Sequence, residues 1–236
     1  MVVGKLDIVV KGNYLKMQKL NVVYEDNHII VVFKPENILS QADSTGDTDM
    51  LTIIKDYIKK KYNKPGNVYL GLVHRLDRPV SGVMVFARTS KAASRLSKQI
   101  QNHEFSKQYL AVINGILPEK EGELCDYLAK DSNGNTRVVS PSNGKKSILK
   151  YKVIAEKDNY SLVEISLITG RHHQIRVQFS SRGYPLVGDQ RYGKMDKKQI
   201  ALCSYKLSFY HPITKEKLVF CRKPNENDIW NLFCEK

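Results

Sequence analysis

The 236-residue sequence has no apolar run approaching the length of a membrane-spanning helix, and its N-terminus lacks the apolar core of a signal peptide. It also contains no internal repeat and no low-complexity tract. The four cysteines are scattered, without the Cys-x-x-Cys spacing of a zinc site; they are Cys125, Cys203, Cys221 and Cys234. These absences argue against a disulfide-rich secreted protein and predict reduced thiols in a cytoplasmic protein without membrane association.

What the chain does have is a large excess of positive charge. Its 38 Lys and Arg residues outnumber 24 Asp and Glu residues, for a net charge of +14. Such a surplus favours a polyanionic partner, and nucleic acid ranks ahead of an acidic membrane because no basic amphipathic helix with an aromatic face stands out. Charge alone leaves open a basic protein with no such partner. With 42% hydrophobic residues the chain can bury a core.

The order of the predicted elements favours an α+β fold. Apolar patterns predict a hairpin over 22–33 and further strands over 83–87, 109–113, 151–155, 160–167, 174–179, 201–210 and 217–221. Helical spacing predicts helices over 51–62 and 91–102, the second capped by Ser90. Strands dominate, and the strand–helix alternation of a doubly wound fold is missing. We expect one domain over 21–236, with a mixed, mainly antiparallel sheet core and a few flanking helices, preceded by a basic leader or an extra edge strand over 1–20.

The most informative segment is 71–82, which places Asp77 among arginines just before a predicted buried strand. In an extended segment, Arg75 and Asp77 lie on one face. A single carboxylate in basic surroundings stays ionised, which suits a nucleophile or an anion that pairs with arginine better than a proton donor. A structural salt bridge in a loop is the alternative interpretation.

Three further segments carry polar or aromatic groups. Tyr109 opens a strand directly after a helix, where it is either a functional aromatic or part of the core. A glycine turn at 169–171 leads into adjacent histidines, and the glycine-rich loop 183–193 has neither Walker nor Rossmann spacing. A metal-dependent hydrolase would have to use the scattered histidines, but these lack any HxH or HExxH spacing; they are His74, His172, His173 and His211.

Taken in order, these segments resemble the RluA-type family of RNA pseudouridine synthases, over about 22–220. The matching motifs are His74-Arg75-Leu76-Asp77 with Ser81-Gly82, Lys107-x-Tyr109-Leu110, Thr169-Gly170-Arg171, His173-Gln174-Ile175-Arg176, Gly188-Asp189-x-x-Tyr192-Gly193 and Ala201-Leu202-x-Ser204-Tyr205-x-Leu207-x-Phe209-x-His211-Pro212. The resemblance implies the pseudouridine synthase catalytic fold, with an active-site cleft across the sheet. It also implies isomerisation of uridine to pseudouridine without a metal or another cofactor.

The resemblance also implies roles for individual residues. Asp77 matches the essential carboxylate, Arg176 the arginine that pairs with it, and Tyr109 the aromatic that stacks on the target base. Arg75 matches the residue that fills the gap left by the flipped base. Further residues are candidates for RNA or substrate binding; they are His74, Arg75, Arg78, Lys107, Arg171, His173 and Gln174. The lysines between Ile54 and Lys64 are either RNA contacts or a solvated helix face.

The sequence departs from the family pattern at Val80, His172 and Gln178, which puts RNA selectivity in doubt more than chemistry. Few residues precede the hairpin, so we expect no N-terminal S4-type domain. A catalytically silent RNA-binding module on the same fold is the main alternative, although it would have no need of Asp77, Tyr109 and Arg176. We expect a monomer that acts on structured rRNA or tRNA, with no obligate protein partner and no membrane.

Overall fold

The computed structural model describes residues 20–193, 198–225 and 228–233. The predicted leader or extra strand therefore lies outside the described residues, apart from Leu20. The described residues divide into two compact units. The first contains the residues up to Phe105 together with Ser208–Phe220, and the second contains Ser106–Leu207 and the residues from Cys221 onward. None of the described helices is long and apolar enough to cross a membrane.

The first unit is built on a hairpin that continues into a buried strand. Its elements are β1 (Asn21–Glu25), β2 (Ile29–Lys34), α1 (Met50–Lys61), β3 (Gly71–Leu72), β4 (Ser81–Ala87) and α2 (Ser90–Gln101). Strand β2 pairs with β1 and β4, and β3 pairs with β4, all antiparallel. Every residue of β2 and β4 is buried, which explains why 29–33 and 83–87 are continuous apolar runs without alternation.

The two helices of the first unit begin at side-chain caps. In α1 the Asp49 carboxylate accepts hydrogen bonds from the backbone amides of Leu51 and Thr52. In α2 the cap is Thr89, whose hydroxyl accepts from the Ala92 amide at 3.1 Å. The predicted cap at Ser90 was therefore one residue too late: Thr89 has the extended backbone of a cap, and Ser90 is already helical. The predicted helices themselves are confirmed.

The second unit is a set of long antiparallel strands with one buried helix. Its elements are β5 (Ser106–Asn114), β6 (Glu121–Lys130), β7 (Thr136–Val139), a 3₁₀ turn (Pro141–Asn143), β8 (Lys145–Lys157), β9 (Tyr160–Leu167) and α3 (Gln174–Ser180). The strands pair in the order β5-β9-β8-β6-β7. This antiparallel order confirms the predicted α+β class.

Helix α3 contradicts one prediction, since its sequence pattern indicated a strand over 174–179. The apolar residues Ile175, Val177 and Phe179 alternate with Gln174, Arg176 and Gln178, which is the period of a half-buried strand. All six side chains are buried in the structure. A segment buried on all sides needs no polar face, so the period of its apolar residues does not distinguish a helix from a strand.

The chain ends with β10 (Leu202–Tyr210), β11 (Lys217–Cys221) and a short helix α4 (Asp228–Asn231). Strand β11 pairs with β10. The Val112 amide of β5 donates to the Ala201 carbonyl at 3.0 Å, directly before β10 begins. This hydrogen bond joins β5 to the segment that leads into β10, so strand pairing in the second unit continues on the side of β5 away from β9.

Candidate functional site

The loop that carries Asp77 connects β3 to β4 within the first unit. Along it, buried and more exposed side chains alternate: His74 and Leu76 are buried, Arg75 is exposed and Asp77 is half-buried. This alternation agrees with the predicted common face of Arg75 and Asp77. The Asp77 side chain is therefore accessible to the solvent and at the same time partly shielded from it.

Ser40 holds the backbone of this loop one residue before Asp77. Its hydroxyl donates to the Leu76 carbonyl at 2.7 Å, and the Leu76 amide donates back to the same hydroxyl oxygen at 3.1 Å. Ser40 is itself buried. The backbone amide and the backbone carbonyl of Leu76 are thus both hydrogen-bonded to one side chain. This fixes the position from which the Asp77 side chain projects.

Lys34 holds the same loop one residue after Asp77. Its side chain is fully buried, and its Nζ donates to three carbonyls: Pro35 at 2.9 Å, Ile38 at 2.7 Å and Arg78 at 3.0 Å. The three donors of an ammonium group match the three acceptors. The Arg78 carbonyl is therefore fixed by a charge-assisted hydrogen bond, and the backbone is held on both sides of Asp77.

Burial also shapes the electrostatics of Lys34. Removal from water lowers the pKa of Lys34 to about 7, although the negative charges of Glu36 and Asp77 oppose this shift. The Asp77 carboxylate thus lies within electrostatic reach of a buried ammonium group. The positive surroundings that the sequence predicted for Asp77 include this lysine as well as the flanking arginines.

Two residues predicted to bind RNA in this loop differ in their settings. His74 is only 7% exposed, and its Nε2 accepts a hydrogen bond from the Val85 amide of β4 at 3.1 Å. Its imidazole supports the loop against β4. Arg78 is exposed and forms an ion pair with Asp47 at 2.7 Å, in which both side chains are nearly half-exposed. Such a pair contributes little to stability and leaves the guanidinium available to a phosphate.

In the second unit, Tyr109 lies in β5 and is 6% exposed, opposite Ile165 of β9. Lys107 lies on the same strand two residues earlier, and burial lowers its pKa. A Cβ placed on Gly170 would lie 3.4 Å from the Lys107 Nζ, so this ammonium group is next to the glycine turn that precedes α3. The predicted residues Lys107 and Arg171 therefore belong to neighbouring parts of one unit.

The turn before α3 is organised by the Gln174 side chain, which is 2% exposed. Its Oε1 accepts from the Thr169 hydroxyl at 2.9 Å and from the Arg171 amide at 3.0 Å. Thr169 in turn accepts from the Ile148 amide of β8 at 2.8 Å. Gln174 thus shapes the backbone around Arg171, whose own side chain is exposed and donates to the Lys146 carbonyl.

Arg176 forms a bidentate ion pair with Asp189. Its Nε donates to one carboxylate oxygen at 2.8 Å and its Nη2 to the other at 2.7 Å, and both side chains are buried. Burial raises the pKa of Asp189, but Arg176 and the amides of Tyr192 and Arg191 outweigh this effect and hold it below the ordinary value. The direction of the Arg176 guanidinium is therefore fixed by a carboxylate whose lowered pKa favours the ionised form.

Tyr192 connects this pair to the histidines before α3. The guanidinium of Arg176 lies 5.2 Å from the centre of the Tyr192 ring. The Tyr192 hydroxyl accepts from the Thr136 amide at 2.9 Å and is hydrogen-bonded to Nδ1 of His173 at 2.7 Å. The His173 ring stacks on His172 with centroids 3.6 Å apart. His173 has a left-handed backbone, with φ of 52°, so the two adjacent side chains lie face to face and not on opposite sides as expected of a strand.

The sequence did not indicate that Lys34 and Ser40 hold the Asp77 loop, nor that Asp189 pairs with Arg176. Asp189 belongs to one of the matching motifs, and its spacing to Tyr192 is visible in the sequence, but nothing in the sequence of the glycine-rich loop indicates that Arg176 is its partner. Lys34 follows the predicted hairpin directly, and no sequence pattern distinguishes it from other lysines. Among the described residues there is no group of three or more His, Cys, Asp and Glu side chains arranged to hold a metal ion.

The chain matches the family model described as RNA pseudouridylate synthase over residues 28–181. It is 35% identical over 219 residues to an uncharacterised RNA pseudouridine synthase of Bacillus subtilis, covering 91% of this chain and 71% of that protein. It is 33% identical over 216 residues to ribosomal large subunit pseudouridine synthase D of Zymomonas mobilis, covering 85% of this chain and 68% of that protein.

The fold is similar to the solved structure of human RNA pseudouridylate synthase domain containing 4. The TM-score is 0.72 at 20% identity, covering 86% of this chain and 88% of that one. These findings confirm the resemblance on which the sequence analysis relied. This chain belongs to the RluA-type RNA pseudouridine synthase family and is an isomerase that acts on RNA.

Proposed function

We propose that this protein converts specific uridines of structured rRNA or tRNA to pseudouridine, with Asp77 as the essential carboxylate. The observation that carries the proposal is the half-buried Asp77 on a loop whose backbone is fixed on one side by Ser40 and on the other by Lys34. A reacting group held in this way loses little freedom when the substrate binds. The names of relatives such as the Zymomonas mobilis protein support large-subunit rRNA as the first substrate class to test.

The chemistry defines what the protein must supply. The C1′–N1 glycosidic bond breaks, the uracil rotates while it is held, a C1′–C5 bond forms, and the proton on C5 moves to N1 through the solvent or a protein group. No electron is gained or lost in this exchange. Three routes are open to Asp77: attack on C1′, attack on C6 of the base, and removal of a sugar proton. Each of them requires the ionised carboxylate.

The remaining roles follow the family motif. Tyr109 is proposed to stack on the uracil, since an aromatic ring accepts any base face and has a hydroxyl near the reacting ring. Arg176 is proposed to pair with the catalytic carboxylate. Its ion pair with Asp189 supports this role, because it fixes the guanidinium in direction before the substrate arrives. Arg75, which is exposed, is proposed to fill the gap left by the flipped nucleotide.

The other predicted RNA contacts divide by exposure. Arg78 and Arg171 are exposed and suited to phosphate. His74 and Gln174 are buried, and we propose that they support the site by holding the backbone of the Asp77 loop and of the turn before α3. Lys107 and His173 lie between these extremes. We further propose a cytoplasmic monomer whose residues 21–236 form one catalytic domain.

Pseudouridine mapping of total RNA from cells with and without the gene tests the proposal. We expect defined uridines to lose their modification in the deletion strain and to regain it with the wild-type gene but not with Asp77→Asn. An unchanged map would contradict pseudouridine formation by this protein. Restoration by Asp77→Asn would leave the activity standing and remove Asp77 from it. A deletion phenotype that the inactive variant rescues would favour the silent RNA-binding module.

A further inference from the structure

Helix α1 presents two chemically different faces. Met50, Ile54 and Ile58 recur every four residues and are buried in the first unit. The segment 55–64 contains five lysines and a single acid, Asp56. All five lysines are exposed, and four of them lie away from the hairpin; these are Lys55, Lys59, Lys60 and Lys64. The helix therefore carries a dense positive charge on the side that faces the solvent.

The fifth lysine, Lys61, has a different position because it is bound to Glu25 of β1. The Glu25 carboxylate is 7% exposed and accepts from Lys61 at 2.7 Å and from the hydroxyls of Tyr57 and Tyr62 at 2.9 Å each. It also pairs with the buried Arg88 at 2.9 Å. Although burial raises the pKa of Glu25, the hydrogen bonds from Lys61, Tyr57 and Tyr62 and the charge of Lys61 outweigh it and hold the pKa below its ordinary value. The last turn of α1 is thus firmly attached to the hairpin.

The other four lysines have no such partner. In the part of the chain that the structure describes, none of them forms an ion pair. Because Glu25 fixes the end of the helix, their stems start from a rigid surface and not from a loose loop. Three of these lysines lie on α1, and Lys64 follows the helix, with its amide donating to the Lys59 carbonyl at 3.1 Å. Four ammonium groups held in this way form a site for a polyanion.

The beginning of α1 lies beside the catalytic loop. The Met50 amide donates to the Leu39 carbonyl at 2.8 Å, and the next residue, Ser40, holds Leu76. From Met50, a helix of 12 residues extends about 18 Å at about 1.5 Å per residue. This is the rise of roughly five nucleotides at about 3.4 Å each. The helical lysines therefore lie within roughly five nucleotide steps of the Asp77 loop, which is within the reach of RNA that flanks a nucleotide bound there.

We propose that Lys55, Lys59, Lys60 and Lys64 form a second RNA-binding surface, the α1 surface, which contacts the sugar–phosphate backbone flanking the target uridine. This rests on the proposed function, since the occupant is the substrate RNA. An acidic membrane fits less well, because an interfacial helix inserts its apolar face, and in α1 that face is buried in the protein core. Contacts of this kind supply affinity and register without reading the sequence.

The test is the salt dependence of binding to a long RNA stem-loop and to its single-stranded loop alone. The α1 variant changes Lys55, Lys59, Lys60 and Lys64 to Gln. The control variant changes four other exposed lysines without ion pairs; these are Lys91, Lys98, Lys152 and Lys157. Both variants lose the same charge. For the stem-loop, the α1 variant should reduce the slope of log K against log salt by about 3, because each lost phosphate contact removes about 0.7 to 0.9. The control should change it by less than about 1.

The single-stranded loop should bind the α1 variant and the wild type alike, and both variants should unfold at the wild-type urea concentration. Equal losses in both variants would overturn the proposal, because net charge would then explain the effect. An unchanged slope in the α1 variant would overturn it as well. If the α1 variant lost binding to phosphatidylserine vesicles but kept its binding to RNA, the occupant of the α1 surface would be a membrane and the proposal would be wrong. These binding experiments do not measure turnover. The binding result can therefore be interpreted even if the protein forms no pseudouridine, and a failure of the α1 surface to bind RNA would not contradict pseudouridine formation.

Discussion

Asp189 and Arg176, which are 13 positions apart in the sequence, meet as a buried pair in which both carboxylate oxygens accept from the guanidinium at 2.8 and 2.7 Å. The pair lies between α3 and the glycine-rich loop. Gly188 precedes Asp189 with φ of 71°, and a Cβ there would lie 2.2 Å from the Gln199 carbonyl oxygen. Only glycine fits this position, so the loop that delivers Asp189 depends on it. The first prediction concerns this pair.

Arg176→Met should destabilise the protein by about 3–5 kcal/mol, because it leaves the Asp189 charge buried without its guanidinium partner. Adding Asp189→Asn should recover part of that loss, since the stranded charge is removed. The free energy of unfolding from urea titrations measures both effects. If the double variant were no more stable than Arg176→Met alone, the unpaired Asp189 charge would not be the cause of the lost stability. Lys120→Met is the control, since its pair with Glu156 is exposed and worth about 1 kcal/mol or less.

Asp77→Asn should fold and bind RNA like the wild type but form no pseudouridine. The change is nearly isosteric and removes only the ionisable group. Single-turnover assays on an RNA that contains a mapped uridine measure the effect. Asp47→Asn is the matched control, because it removes an exposed carboxylate from the surroundings of the same loop. Turnover by Asp77→Asn within about tenfold of the wild type, or about 1.4 kcal/mol of barrier, would exclude Asp77 as the essential group.

Tyr109→Phe and Tyr109→Leu separate the ring from the hydroxyl. If the ring serves only as a stacking platform, the Phe variant should be far more active than the Leu variant. If the hydroxyl helps to move the C5 proton, the Phe variant should bind RNA normally and stall after glycosidic cleavage. Detection of a base-detached intermediate distinguishes the two roles. Equal activity of the Leu variant and the wild type would contradict both.

Lys34→Met should change the pH dependence of stability. Burial lowers the pKa of folded Lys34 to about 7, whereas an unfolded lysine titrates near pH 10.4. Between these two values the unfolded chain binds more protons, so the free energy of unfolding should rise with pH, by at most about 1.4 kcal/mol per pH unit. This slope should be lost in Lys34→Met.

Urea titrations across this pH window measure the slope, with the exposed Lys91→Met as a control that should keep it. Lys34→Met should also lower kcat more than it raises KM, because the Arg78 carbonyl beside Asp77 is no longer held. A variant that keeps the wild-type slope would show that Lys34 retains its ordinary pKa in the folded protein. A kcat equal to that of the wild type would show that the loop keeps its position without Lys34.

The local sequence determined much of this protein. Alternating and continuous apolar runs specified the hairpin of β1 and β2, and the helical spacing of apolar residues specified α1, because these patterns follow directly from the geometry of each element. The ordered motifs identified the family and named Asp77, Tyr109 and Arg176 as the residues to test.

Only the tertiary structure decided which side chains are partners. The period of α3 could not distinguish helix from strand, because the segment is buried on every side. Lys34 resembled any lysine at the end of a strand until the fold supplied three carbonyls and excluded water. Lys61 and Lys60 are neighbours in one basic run, yet helical geometry directs Lys61 to Glu25, 36 positions away, and leaves Lys60 facing the solvent without an ion pair. Pairs distant in the sequence are set by how elements pack, and no local pattern encodes that packing.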